Sequence, residues 1–143
     1  MTVPVKPAAA LLLVSLFSVG LGACGSTVST GSFKGEAHEV AQAIANLQTD
    51  ATARDEKKVC ENDLASAVVK RLNGARDGCR QAIKNQLAEV DGFEVSVQSV
   101  QLGASATPRT ATARVKSIYR GKPRSGTLSL VKEAGRWKVS SIG

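Results

Sequence analysis

Val90-Asp91-Gly92-Phe93-Glu94-Val95-Ser96-Val97-Gln98 is where the chain changes period. Before it, Cys79, Ile83, Leu87 and Val90 form one apolar stripe at the spacing of an amphipathic helix. Asp91-Gly92 is a turn pair that stops a helix. After it, Phe93, Val95 and Val97 alternate with Glu94, Ser96 and Gln98, the period of a half-buried strand. Val100 and Leu102 then continue on the other parity, a slip that a β-bulge produces.

The downstream sequence keeps this alternation. Thr110 to Arg120 reads as a second strand, with Ala111, Ala113, Val115 and Tyr119 on one face. Thr112, Arg114, Lys116, Ile118 and Arg120 fall on the other. Gly121-Lys122-Pro123 is the expected turn into a third strand, where Leu128 and Leu130 point inward. Glu133-Ala134-Gly135 turns the chain again, and Trp137 and Val139 are the inward residues of a fourth strand.

Upstream the pattern is helical. Val40, Ile44, Leu47 and Ala51 form one stripe, with Ala37, Ala41 and Ala45 raising helix propensity. Glu36 and Glu39 sit in the first turn, where the helix dipole favours negative charge. A short helical piece starts near Asp55 and includes Val59 and Cys60. Asn62 or Asp63 is the expected cap of a third piece with Leu64, Val68 and Leu72 on one face, and Asp77 that of the last helix. Helices first, then an antiparallel meander, make an α+β fold with the helices packed on one face of a curved four-stranded sheet. The parity leaves Arg114, Lys116, Arg120 and Lys138 on the opposite, outer face.

The N-terminal segment is of another kind. Residues Ala8 to Ala23 carry no charge, and the run ends in Leu21-Gly22-Ala23-Cys24. It is short for a spanning helix, suits the apolar region of a signal peptide, and ends like a lipobox. The expectation is a signal peptide over 1–23, cleavage before Cys24, a diacylglycerol anchor on that cysteine, and a lipidated flexible tether over 24–35 ahead of a domain at 36–143. A plain secreted protein and a retained anchor helix are the alternatives. The implied location is the extracytoplasmic side of the cell membrane.

Without the signal segment the chain carries 18 Lys and Arg against 12 Asp and Glu. Residues 95–143 hold nine of the basic residues and one acidic residue, Glu133. For an exported protein such a bias suggests anionic lipid, an envelope polymer or an acidic protein as partner, beside the plain reading of a solvated sheet face. With Phe17 in the signal segment, the remaining aromatics are few: Phe33, Phe93, Tyr119 and Trp137. That leaves little for base stacking and argues against nucleic acid. With Cys24 lipidated, Cys60 and Cys79 remain, and an oxidising compartment favours a disulfide between them. A two-thiolate metal site is the alternative, with His38 the only histidine.

With these features in place, residues 36–143 resemble the nuclear transport factor 2-like (NTF2-like) superfamily in its small bacterial lipoprotein form. The resemblance rests on the helix at Glu36–Thr52 with the short piece at Asp55–Glu61, on the Cys60/Cys79 pair around a loop, and on Glu133-Ala134-Gly135-Arg136-Trp137-Lys138-Val139. It implies a cone-shaped fold with Trp137 packed inside. It implies little about activity, because the superfamily holds enzymes, scaffolds and binding domains.

Enzymes of this kind need a carboxylate or histidine inside the cone, often with a Tyr donor. The inward positions here are mostly Val, Ala, Leu and Trp, with Tyr119 the inward hydroxyl and Glu94 of outward parity. His38 is off the apolar stripe and reads as a solvated helix residue. Walker, dinucleotide-binding, zinc-protease and nucleophile-elbow motifs are absent. The sequence therefore points to a non-catalytic domain without cofactor. Tyr119 and Trp137 are its candidate cavity residues, and a small apolar ligand is one candidate partner. A small isomerase- or dehydratase-like enzyme using the cone cavity is the alternative.

Overall fold

The computed structural model describes residues 29–90, 93–119 and 121–143, with Tyr119 described by its backbone alone. Cys24 with the expected signal segment, Asp91-Gly92, Arg120 and the Tyr119 side chain lie outside the described residues. Within them, no helix is long and apolar enough to cross a membrane.

The stripe Val40, Ile44, Leu47 and Ala51 forms the buried side of α1 (Gly35–Thr52). Burying each large aliphatic side chain contributes about 1.5–3 kcal/mol. The last residues of the expected tether are held against this helix. Phe33 donates its N–H to Thr30, and the Thr30 carbonyl lies 3.0 Å from His38 Nδ1.

Asp55 caps α2 (Glu56–Lys58) by accepting the Lys58 N–H at 3.0 Å. The chain then widens into a π-helix, Val59–Asp63, closed by the Leu64 N–H to the Val59 carbonyl. The widened turn buries Val59, Cys60 and Asp63 together. Next comes α3 (Ser66–Asn73), which packs Val68, Val69 and Leu72 on the core. Neither Asn62 nor Asp63 caps it. The acceptor comes from the sheet: the Glu133 carboxylate takes the Ser66 N–H at 3.1 Å and its hydroxyl at 2.7 Å. Asp77 sits at the start of α4 (Gly78–Ala88) without a side-chain cap bond, and Asn73 Oδ1 accepts the Cys79 N–H at 2.9 Å instead. Cys60 and Cys79 form a disulfide with Cα atoms 6.2 Å apart, which ties the π-helix to α4.

Four strands follow, β1 (Glu94–Leu102), β2 (Thr110–Tyr119), β3 (Lys122–Glu133) and β4 (Arg136–Ile142). They pair antiparallel in the order β1-β2-β3-β4. Helices first and a meander second is the α+β layout implied by the NTF2-like resemblance. The register slips between Val97 and Ser99, leaving Gln98 extra, where the parity change placed a bulge. A second slip falls between Ser129 and Leu130. Tyr119 pairs with Lys122, so Lys122-Pro123 begin β3 rather than turning. Ala134 and Gly135 both have positive φ, 48° and 77°, as a two-residue hairpin turn between Glu133 and Arg136 requires.

The inward faces of the strands meet α1. Val95, Ala111, Ala113, Val115, Leu128, Leu130, Trp137 and Val139 are buried there. Gln48, 8% exposed, accepts the Val95 N–H at 2.9 Å and locks β1 to the helix. The outer edge of β4 is covered at Val139 by Leu64 and Ala65, whose N–H bonds the Val139 carbonyl.

Candidate functional site

Small inward residues open a cavity between α1 and the sheet. Gly126 pairs with Val115, and Ser117 pairs with Arg124 in the next inward row. Neither Gly126 nor Ser117 fills the space beneath Ile44 and Leu47 of α1. The cavity is about 340 Å³, within the size range of small-molecule sites, and its walls include Phe93, Val95, Leu128 and Ile142. Among its described lining residues the charged side chain is Arg124, and no lining side chain carries a carboxyl or imidazole group.

The residues expected to share a cavity are set apart by the register. Trp137 pairs with Lys132, next to the Val131–Thr110 pair. Tyr119 lies at the far end of β2, nine residues from Thr110 and about 30 Å along the strand. Trp137 is 5% exposed and belongs to the core.

Of the expected basic face, Arg114 and Lys116 are exposed on the outer side of β2. Hydroxyl residues flank them in register: Ser99 and Thr127 beside Arg114, Ser96 and Ser125 beside Lys116. Lys138 stands elsewhere. It pairs with Val131, four residues along β2 from the Arg114 row, about 13 Å away. Its Nζ donates to the Glu61 carbonyl at 2.9 Å.

A second concave site runs along the other side of α1. His38, Gln42, Asn46 and Asp50 face the end of the π-helix and the β3–β4 hairpin across a groove of about 510 Å³. At one end, Lys132 is held by Glu36 at 3.4 Å and Glu39 at 2.9 Å, and its ammonium lies 5.6 Å from the Trp137 ring centroid. Arg109 adds an ion pair to Glu36. Lys132, through its hydrogen bond and its charge, holds the Glu39 carboxyl below its ordinary value. At the other end lie Asp50, Asn62 and Asp63.

Asp63 is 6% exposed, and its Oδ2 has no hydrogen-bond partner. Burial, followed by the Asp50 charge and a side-chain hydrogen bond with Asp50, pushes its carboxyl up to about 7. The Trp137 indole N–H also lacks a hydrogen-bond partner. It lies close enough to Glu39 to help hold that carboxylate down. Two buried polar atoms without a well-formed hydrogen bond, each beside a carboxyl group, therefore belong to residues that line one groove, an uncommon condition in a folded protein.

The sequence offers Asn62 or Asp63 as a helix cap and does not bring Asp50 near either. The available signal was the acidic spacing from Asp50 through Asp55 to Asp63, too loose to predict that α1 and the π-helix meet there. His38 lines this groove while fixing Thr30. Among the described residues, no group of three or more His, Cys, Asp or Glu is placed to hold a metal ion.

No protein-family model matches the chain. No curated protein matches it either. Among solved structures the chain is similar to a protein named Rd1NTF2_05, in a form with five substitutions, at 15% identity and a TM-score of 0.44. The match covers 71% of this chain and 91% of that one. A likeness of that degree adds nothing about site or activity; the α+β layout rests on the element order and strand register described above.

Proposed function

We propose that the protein is a lipoprotein anchored through Cys24 to the extracytoplasmic side of the membrane, with a domain that binds a ligand or partner without transforming it. The observation that carries the binding role is the apolar cavity under α1, about 340 Å³ and walled by Ile44, Leu47, Val95, Val115 and Leu128. A small apolar ligand suits those walls, which supply dispersion contacts and exclude water. Proton-transfer chemistry in the same cavity needs a carboxylate or imidazole within reach of the substrate. The alternative, an isomerase- or dehydratase-like enzyme, therefore draws no support from its described lining. The anchor reading rests on the apolar run that ends in Leu21-Gly22-Ala23-Cys24. The exposed Arg114 and Lys116, framed by serines and threonines, suit an anionic headgroup, an envelope polymer or an acidic protein.

The test is extraction of the full chain from its own membranes, followed by mass spectrometry of the N-terminal peptide and of any released small molecule. An acylated Cys24 and a stoichiometric apolar compound support the proposal. A mature chain that begins elsewhere removes the anchor. A compound recovered chemically altered after incubation with the protein would establish the enzyme instead.

A further inference from the structure

The groove lined by Asp63 and Trp137 is separate from the apolar cavity, and no lining residue is shared between them. Its two ends differ in how far their charges are matched. Around Trp137, Lys132 already has two carboxylates, and Arg136 reaches Asn62 Oδ1 at 3.3 Å. At the Asp50 end, Asp50 pairs with Lys58 at 3.8 Å, and that ammonium lies closer to Asp55, at 3.3 Å. Lys138, which also faces Asp63 electrostatically, has its Nζ on the Glu61 carbonyl. Two carboxyl groups thus meet through a hydrogen bond, and among the described residues no ion pair is formed by Asp63. Asp63, at 6% exposure, has only the neighbouring Asp50 carboxyl to share a proton with, and the Trp137 N–H, at 5%, has Glu39 nearby without a well-formed hydrogen bond to it.

The unmet demands are complementary in kind. Asp63 and Asp50 call for a group with positive charge and N–H donors. The indole N–H, which makes no well-formed bond to the nearby Glu39, can take a further oxygen acceptor. A buried carboxyl is satisfied far better by a hydrogen-bonded cation than by an apolar group. The polar stripe of α1, with Gln42 bonded to Asn46, supplies further amide groups along the wall. We propose that this groove is a binding site for a small organic amine that carries an oxygen acceptor near its nitrogen, the chemistry shared by amino sugars, amino alcohols and amino acids. The ammonium sits against Asp63 and Asp50, and the oxygen takes the Trp137 N–H.

Trp137 is the only tryptophan in the chain, so its fluorescence reports on the groove alone. The full-length protein is titrated with glucosamine, ethanolamine and serine, with glucose and tetramethylammonium as controls. Glucose has the hydroxyls without the amine, and tetramethylammonium has the charge without N–H donors. At least one amine probe saturates a change in Trp137 emission below roughly 50 mM, where even a millimolar site is filled. The two controls give no such change. Asp63→Asn keeps the shape of the side chain and weakens binding of the active probe at least tenfold. Trp137→Phe, followed by calorimetry, weakens it several-fold and preserves the preference for the amine over glucose. Absence of saturation with all three amines overturns the proposal. So does equal binding of glucose, or undiminished binding in a folded Asp63→Asn protein. None of these outcomes bears on the apolar cavity.

Discussion

Glu133 caps helix α3 through Ser66, a residue 67 positions earlier in the chain. One carboxylate oxygen accepts the backbone N–H alone. The other accepts both that N–H and the hydroxyl. The helix therefore takes its N-terminal acceptor from the end of β3, where the tight β3–β4 turn begins. Sheet and helix layer are joined by charge-assisted bonds as well as by the core.

Removing this cap has a predictable consequence. The Ser66 hydroxyl and N–H hold the Glu133 carboxyl below its ordinary value. That stabilisation is fully present above pH 4.5, the unfolded value, and is lost as pH falls through the lower folded value. Glu133→Ala should cost about 1 kcal/mol at neutral pH, the usual value of a helix cap. Denaturant unfolding at pH 7 and pH 3 checks this: the difference from wild type shrinks at the lower pH.

Asp63 predicts the opposite pH dependence. A carboxyl raised to about 7 binds its proton more tightly in the folded protein than at the unfolded value of 3.8. Its penalty is absent below 3.8, grows as pH rises towards 7 and is complete above it. Asp63→Asn should therefore stabilise the protein by about 2–4 kcal/mol at pH 8 and change little at pH 4. Thermal unfolding at the two pH values measures this. Greater stability in the same variant that loses amine binding is the expected trade-off at a functional site.

The Cys60–Cys79 bond closes a loop of 19 residues by sequence separation. Its removal should cost about 3 kcal/mol in the chain-entropy model. Non-reducing peptide mapping should find the two peptides linked, and reduction should lower the unfolding midpoint of the intact chain.

What the sequence made legible followed from parity and period. The bulge near Gln98 showed as a change of face between Val97 and Val100, and the register slips there. Trp137, Leu128 and Val115 alternate with polar neighbours, and they and Leu130 are all buried. Parity assigns a residue to a face but does not say what passes beside it. Lys138 has outward parity, yet the π-helix runs past the edge of β4 and takes its ammonium. Asp63 looked like a cap because Asp before a helical stripe usually is one. A widened turn instead rotated it inward towards Asp50. Such a meeting depends on the packing of three elements, and no local pattern encodes it.

The outer sheet face gives a test of charge. With Cys24→Ser removing the anchor, the protein should bind anionic vesicles at low salt and release them as salt is raised. Each cation near the surface contributes about 1 kcal/mol, screened over a Debye length of about 8 Å at physiological salt. Replacing Arg114 and Lys116 by Ser should weaken binding roughly tenfold or more. Lys138→Ser should change it little, because that ammonium is held by the Glu61 carbonyl.

The most direct test of the binding reading is native mass spectrometry of the full chain purified from its own membranes, compared with Ser117→Phe. Ser117 lines the apolar cavity at a partly exposed inward position, so a phenyl ring there occupies the space left beside Val95 and Arg124. The account predicts an additional mass on the native protein, released on denaturation as one apolar compound and missing from the folded Ser117→Phe variant. A protein that carries no such mass in its native membranes and takes up no apolar compound when offered one, or a mass retained unchanged by the filled cavity, would contradict it.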